Sequence, residues 1–250
     1  LIELATEKEH RQKSSMSKEI KALFFDVFGT LADWRSSVAR EAEAIIHPLG
    51  FVVDWLRFAD AWREEYQPAM EEVRAGRIPF CKLDVLHRRN LERVLPRFGI
   101  YGLSEAELVR LNNAWHRLDG WSDVAAGLAR LKRKFCIAPV SNGNVSLMVH
   151  LARRNDWPWD AILGAEVAGD YKPKPGVYLV ACELLDLVPS ECMMVAAHSR
   201  DLAAAASCGL RTAHVARADE YGPGSGEPAP TVPVDVAVAD LNRLAERLGA

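Results

Sequence analysis

Residues 24–30 read FFDVFGT, the end of an apolar run that opens at Ile20 and is cut off by a single carboxylate, Asp26. A short, continuous apolar run fits a strand of a parallel sheet that is buried on both faces. Similar runs recur downstream at 135–140 (FCIAPV), 161–166 (AILGAE), 192–197 (CMMVAA), 212–216 (TAHVA) and 235–240 (DVAVAD). Helix-like stretches separate them, among them SDVAAGLARLKRK, NVSLMVHLARRN, GVYLVACELLD and RDLAAAASCG. Strands alternating with helices predict an α/β fold, a doubly wound parallel sheet with helices on both faces. In such sheets ligands bind beyond the carboxyl ends of the strands, which is where Asp26 falls.

One long interval breaks the alternation. Between about Trp34 and Trp121 no strand is legible, and SSVAREAEAIIHPLG, WLRFADAWREEYQPAMEEVRAG, KLDVLHRRNLERVLPRFG and SEAELVRLNNAWHRL read as four amphipathic helices. The expected organisation is therefore a core of residues 19–33 and 122–250, a helical insertion at 34–121, and a charged, disordered extension at 1–18, within which Met16 could be the true start. The stretch 220–233, EYGPGSGEPAPTVP, reads as a surface loop; its glycines precede no helix and so do not make a phosphate cradle.

Composition narrows the function classes. Of 250 residues 49% are hydrophobic and 26% charged, which predicts a single sizeable core with room for an insertion. The net charge is −3 and the basic residues are dispersed, so the footprint of a nucleic-acid binder is missing. No apolar run approaches the roughly 20 residues of a membrane span. Cys81, Cys136, Cys182, Cys192 and Cys208 contain no CxxC pair and read as free thiols in a reducing, cytoplasmic setting. The histidines show no HxH or HExxH spacing for a metal.

Asp26 alone could be a helix cap or turn former. The other strand ends change that balance: FCIAPV is followed by Ser141-Asn142-Gly143, DYKPKPGVY carries Lys172, and CMMVAAHSRD delivers Asp201. In order, FFDVFGTLAD, VSNG, YKPKP and VAAHSRD followed by AAAASCGLRT resemble the four motifs of the haloacid dehalogenase superfamily, across residues 20 to 240. Most members of that superfamily are magnesium-dependent phosphatases with a second aspartate two places after the nucleophile and another in motif four. Here those places hold Phe28 and Ala197, which takes away an acid and a metal ligand together. The sequence is similar instead to the L-2-haloacid dehalogenase branch, whose helical cap is inserted at the place of residues 34–121.

That resemblance implies an (S)-2-haloacid dehalogenase without metal or organic cofactor. Asp26 would attack C2 of a short 2-haloalkanoate and expel halide, and water would then release a 2-hydroxy acid from the aspartyl ester. Lys172 would favour the ionised nucleophile, and Asp201 would orient Lys172 or the water. Arg63 and Asn142 would receive the halide, Ser141 the substrate carboxylate, and Phe28 would border the substrate. For Arg63 the competing reading is a solvated helix arginine; for Tyr178, a helix packing residue rather than a hydroxyl behind the site. His198 stands near where relatives carry asparagine, and three roles stay open: hydrogen-bonding substitute, general base in ester hydrolysis, or structural residue. Trp34, Trp62, Tyr66 and Trp115 are candidates for the cleft under the cap. Expected partners are the small 2-haloacid and halide, with neither nucleic acid nor membrane, and by resemblance a homodimer. The competing functions are a magnesium-dependent phosphatase of a small phosphomonoester and a non-catalytic carboxylate-binding protein.

Overall fold

The structure, a computed structural model, describes residues 19–250. The extension expected at 1–18 lies outside the described residues.

Six strands form one parallel sheet. They are β1 (Ala22–Phe25), β4 (Cys136–Ser141), β5 (Leu163–Gly164), β6 (Cys192–Ala196), β7 (Arg211–Val215) and β8 (Val236–Val238), in the order β5-β4-β1-β6-β7-β8. Every strand expected from the apolar runs is present. β1 is central, with Phe25 in register with Pro139 on one side and Val195 on the other. The chain builds outward to β5 and then returns to add β6 beside β1, so Asp26 leaves the sheet where the strand order reverses. A reversal of this kind opens a crevice for ligands.

The period of two along β1 divides the core. Leu23 and Phe25 join one cluster with Val124, Leu128, Leu241 and Leu244, while Ala22 and Phe24 join another with Val177, Tyr178, Leu202 and Ala205. Helices therefore cover both faces, as buried parallel strands require. On the first face α6 (Val124–Leu131) lies so close to α11 (Leu241–Leu248) that a Cβ on Gly127 would come within 2.4 Å of Leu241 Cβ. The helix at 241–248 carried no expectation from the sequence.

Between β1 and α6 the chain is helical: α1 (Trp34–Ile46), α2 (Trp55–Glu64), α3 (Tyr66–Arg74), α4 (Leu83–Val94) and α5 (Glu105–Asn112). Carboxylates and a hydroxyl start three of them. Asp33 accepts from Ser36 N, Asp54 from Arg57 N, and Ser104 makes a reciprocal capping box with Glu107. Two differences from expectation appear. The stretch 55–76, read as one helix, is α2 and α3 meeting at Glu65. Pro68 has no N–H for a carbonyl at Glu64, so a break upstream places it in the first turn of α3, where no such bond is required. The other difference is a two-residue antiparallel pair, β2 (Ala32–Asp33) with β3 (Asp119–Gly120), which ties together the two crossings between the helices and the sheet.

The helices rest on the mouth of the sheet through specific bonds. Arg74 donates to the Lys172 carbonyl at 2.7 Å, Asn144 donates to Asp84 at 2.9 Å, and Trp121 Nε1 donates to the Gly29 carbonyl at 2.9 Å. Among the described residues no helix is long and apolar enough to cross a membrane.

Candidate active site

Asp26 follows the last residue of β1 and is 7% exposed. Its carboxylate has three partners. Lys172 Nζ donates to Oδ1 at 2.8 Å, Thr30 Oγ1 donates to Oδ2 at 2.7 Å, and His198 Nδ1 lies 3.0 Å from Oδ2. The Thr30 hydroxyl is itself fixed, because Ala197 N–H donates to it at 2.9 Å. Burial by itself would raise the Asp26 carboxyl; the Lys172 ammonium and His198 outweigh it and hold the group far below the usual carboxylate range. The side chain is thus an anion at any physiological pH.

Lys172 is equally constrained. Its ammonium also reaches Asp201 Oδ2 at 2.6 Å, and Asp201 Oδ1 accepts from the Tyr178 hydroxyl. Burial would lower the lysine, but the two carboxylates push it well above its ordinary value. Burial of Asp201, aided by the nearby Asp26 charge, pushes that carboxyl up against the pull of Lys172. Tyr178 is fully buried and its hydroxyl stays protonated, raised by burial and by Asp201. It joins hydroxyl, carboxylate and ammonium into a line that ends on the nucleophile. Lys174, two residues on, is exposed.

A cavity of about 220 Å³ opens above Asp26 and is lined by Phe28, Arg63, Tyr66, Asn142, Lys172, His198 and Asp201, among others. The Asn142 amide oxygen accepts from Lys172 N–H at 2.8 Å, and the side chain meets the Tyr66 hydroxyl at the cavity wall. Arg63 comes from the end of α2, and its guanidinium stacks over Tyr66 at 4.1 Å, with Trp34 at 5.3 Å and Phe28 at 5.9 Å. Three aromatic faces hold the cation by its ring-facing surface, and its buried Nη1 has no hydrogen-bond partner. Phe28 meets Trp115 and Tyr66 edge-on, and Trp62 stands edge-on to Trp115, so the roof of the cavity is aromatic.

The structure brings together nine of the residues singled out in the sequence: Asp26, Phe28, Arg63, Asn142, Lys172, Tyr178, His198 and Asp201, with Tyr66 beside them. Ser141 differs. It is fully buried, its Oγ accepts from Gly143 N–H at 3.1 Å, and it does not line the cavity. As the last residue of β4 it stands directly before Asn142 and closes the turn that follows through its bond from Gly143 N–H. Among the described residues no group of three or more His, Cys, Asp or Glu side chains is arranged to hold a metal. The five cysteines are all unpaired.

Two site residues had no warning in the sequence. Thr30 sits in the quoted FGT but shows its role only when the loop folds back on Asp26. Glu220 belongs to the stretch taken for a surface loop, yet it is 2% exposed. Its Oε2 lies 2.8 Å from His198 Nε2 and its Oε1 accepts from Trp34 Nε1 at 3.0 Å. Burial would lower His198, but the hydrogen bonds to Asp26 and Glu220 raise it to about 10.

An α/β sheet whose first strand runs into a clamped aspartate, met by Lys172 from the loop ahead of the helix Pro175–Glu183 and by Asp201 from the first turn of the helix Ser199–Ser207, sets out a carboxylate-centred site of the hydrolase kind. Residues 20–209 match the family model described as haloacid dehalogenase-like hydrolase, and the chain belongs to that family. In structure it is similar to the defluorinating L-2-haloacid dehalogenase Rha0230, at 40% identity and TM-score 0.90, over 92% of this chain and 96% of that one. It is also similar to the L-2-haloacid dehalogenase PA0810, at 46% identity and TM-score 0.88, covering 92% and 99% of the two chains. Among curated proteins, (S)-2-haloacid dehalogenase 1 of Pseudomonas sp. (strain CBS-3) is 29% identical over 202 residues, 79% of this chain and 85% of that protein.

Proposed function

We propose that this chain hydrolyses the carbon–halogen bond of short (S)-2-haloalkanoic acids, giving 2-hydroxy acids through an ester on Asp26. One observation carries the proposal: an anionic Asp26 and the Arg63 guanidinium line the same small cavity. The relatives named above, all 2-haloacid dehalogenases, support it.

In the first step an Asp26 oxygen attacks C2 and the halide leaves toward the Arg63 guanidinium and the Asn142 side chain. Developing negative charge on the leaving atom is stabilised there by groups already in place. Lys172, aligned by Asp201 and Tyr178, keeps Asp26 ionised and ordered for attack. Phe28 occupies the position where a phosphatase would keep an acid, so no proton donor stands on that side of the nucleophile. In the second step water adds to Cγ of the ester, the bond to the alkyl oxygen breaks, and Asp26 is restored. The ligands are the haloacid and the halide; no step draws on a metal or cofactor.

Residues 34–121 act in this scheme as a cap over a core of 19–33 and 122–250, since Arg63 and Tyr66 come from the first and Asp26, Asn142 and Lys172 from the second. Five unpaired cysteines support a reducing, cytoplasmic location. Halide release from chloroacetate and (S)-2-chloropropionate with EDTA present tests the proposal. Turnover by the wild type and none by Asp26→Asn is expected; no halide from any such acid would overturn it.

A further inference from the structure

We propose that alkylation of Asp26 converts His198 from hydrogen-bond partner of the nucleophile into the base that moves the proton during ester hydrolysis, with Glu220 as its positioning residue. The inference deepens the dehalogenation scheme and rests on it. Its basis is a line of three side chains in which both ring nitrogens are taken: Asp26 Oδ2 to His198 Nδ1 at 3.0 Å, and His198 Nε2 to Glu220 Oε2 at 2.8 Å. Glu220 cannot swing away, because its other oxygen is held by Trp34 Nε1 at 3.0 Å. A histidine fixed on one nitrogen by a buried carboxylate, with the other aimed at the reacting group, has its tautomer and direction decided in advance.

The charges make the change automatic. While Asp26 is ionised, two carboxylates flank the ring and it is an imidazolium. Once Asp26 is an ester its charge is gone and only Glu220 remains, so the ring gives up a proton to solvent and keeps the one on Nε2. Nδ1 then presents a lone pair toward the ester. Water adds to Cγ as its proton passes to Nδ1; the bond from Cγ to the alkyl oxygen breaks; the imidazolium protonates the leaving alkoxide. The regenerated carboxyl returns its proton to Nδ1, and the net yield is one proton per halide, as the overall hydrolysis requires.

Asp201 is less suited to the task, because Tyr178 and Lys172 already donate to its two oxygens. The charged groups around His198 are Asp26 from β1, Lys172, Arg200 and Asp201, Glu220 and Glu227 of the long loop, and Arg63 from α2, with His214 of β7 close enough to oppose its charge. Of these only Asp26 changes charge between the two steps.

Rapid-quench halide release and intact-protein mass with chloroacetate test the idea in wild type, His198→Asn and Glu220→Gln. His198→Asn is expected to release one chloride per site at near the wild-type rate, to accumulate the carboxymethyl-enzyme mass, and to turn over about 10²-fold more slowly. Full turnover by His198→Asn without adduct, or loss of the first chloride, overturns the inference and leaves dehalogenation standing. Wild type giving neither chloride nor adduct overturns dehalogenation itself. Should His198→Asn fail to fold, Glu220→Gln decides: the acid limb of its turnover profile shifts to lower pH if Glu220 raises the ring's basicity, and an unmoved limb refutes the pairing.

Discussion

Gly29 leaves open the space that the Glu220 carboxylate fills: a Cβ at Gly29 would lie 2.0 Å from Glu220 Oε1 and 2.3 Å from its carboxyl carbon. The glycine also adopts φ +85°, a left-handed conformation that an L side chain resists. Both demands fall on the residue three places after the nucleophile, which accounts for the glycine in FFDVFGT. Gly29→Ala is therefore expected to cost roughly 2 kcal/mol or more of stability and to displace Glu220 from His198. Thermal unfolding should show the loss. Rapid-quench kinetics should show hydrolysis of the ester slowed more than the first halide release; equal slowing of both would mean that the carboxylate does not act through His198.

Asp26→Asn removes the attacking anion while keeping its shape. The loss of activity should be total within detection, on the order of 10⁴-fold or more, since neighbouring groups cannot substitute for a nucleophile. The variant should remain folded, because Lys172 keeps Asp201 and His198 keeps Glu220. Halide assay together with circular dichroism checks both halves of the expectation.

Arg63 differs from a point charge in that its planar face is stacked on Tyr66 while an edge nitrogen stays unpaired. Lysine can supply the charge but neither the stack nor the fork of donors. Arg63→Lys should lower kcat about 10²-fold by analogy with the loss of one transition-state donor, with stability changed by only about 1 kcal/mol. The decrease should be steeper for chloroacetate than for bromoacetate, because the poorer leaving group depends more on stabilisation of the departing anion. Equal decreases for the two would place Arg63 away from the halide.

The sheet was readable because each of its longer strands is a short apolar run ended by small or charged residues, a pattern imposed by burial on both faces. Asp26 was readable for the same reason; Lys172, in the loop ahead of the helix Pro175–Glu183, and Asp201, in the first turn of the helix Ser199–Ser207, reach the same edge through the segments that follow β5 and β6. Arg63 could be found only by resemblance, because nothing in DAWREEY separates a stacked cation from a solvated one. The break at Glu65 was hidden by a helical period that runs through it; only Pro68 hinted at it. Glu220 was the largest omission. It lies 191 residues from Gly29 in a stretch rich in glycine and proline, and a single acid there looks like surface until the fold closes a pocket of its own size around it.

The His198 ring supplies a pH signature of stability as well as of turnover. Its folded value of about 10 stands above the 6.5 of an unfolded histidine, so between those values the native state holds a proton that the unfolded state has lost. The associated stabilisation is complete below about pH 6.5 and disappears as pH rises through 10. Asp26 works in the opposite sense, its contribution being present above the ordinary carboxylate value near 3.8 and lost only in strong acid, so it leaves the alkaline window untouched. Denaturant unfolding from pH 6 to 10 should therefore show wild-type stability falling with pH. His198→Asn, with no proton to lose there, should show a flatter profile over the same range. A wild-type curve parallel to that of the variant would mean that the imidazolium is not held between Asp26 and Glu220 in solution.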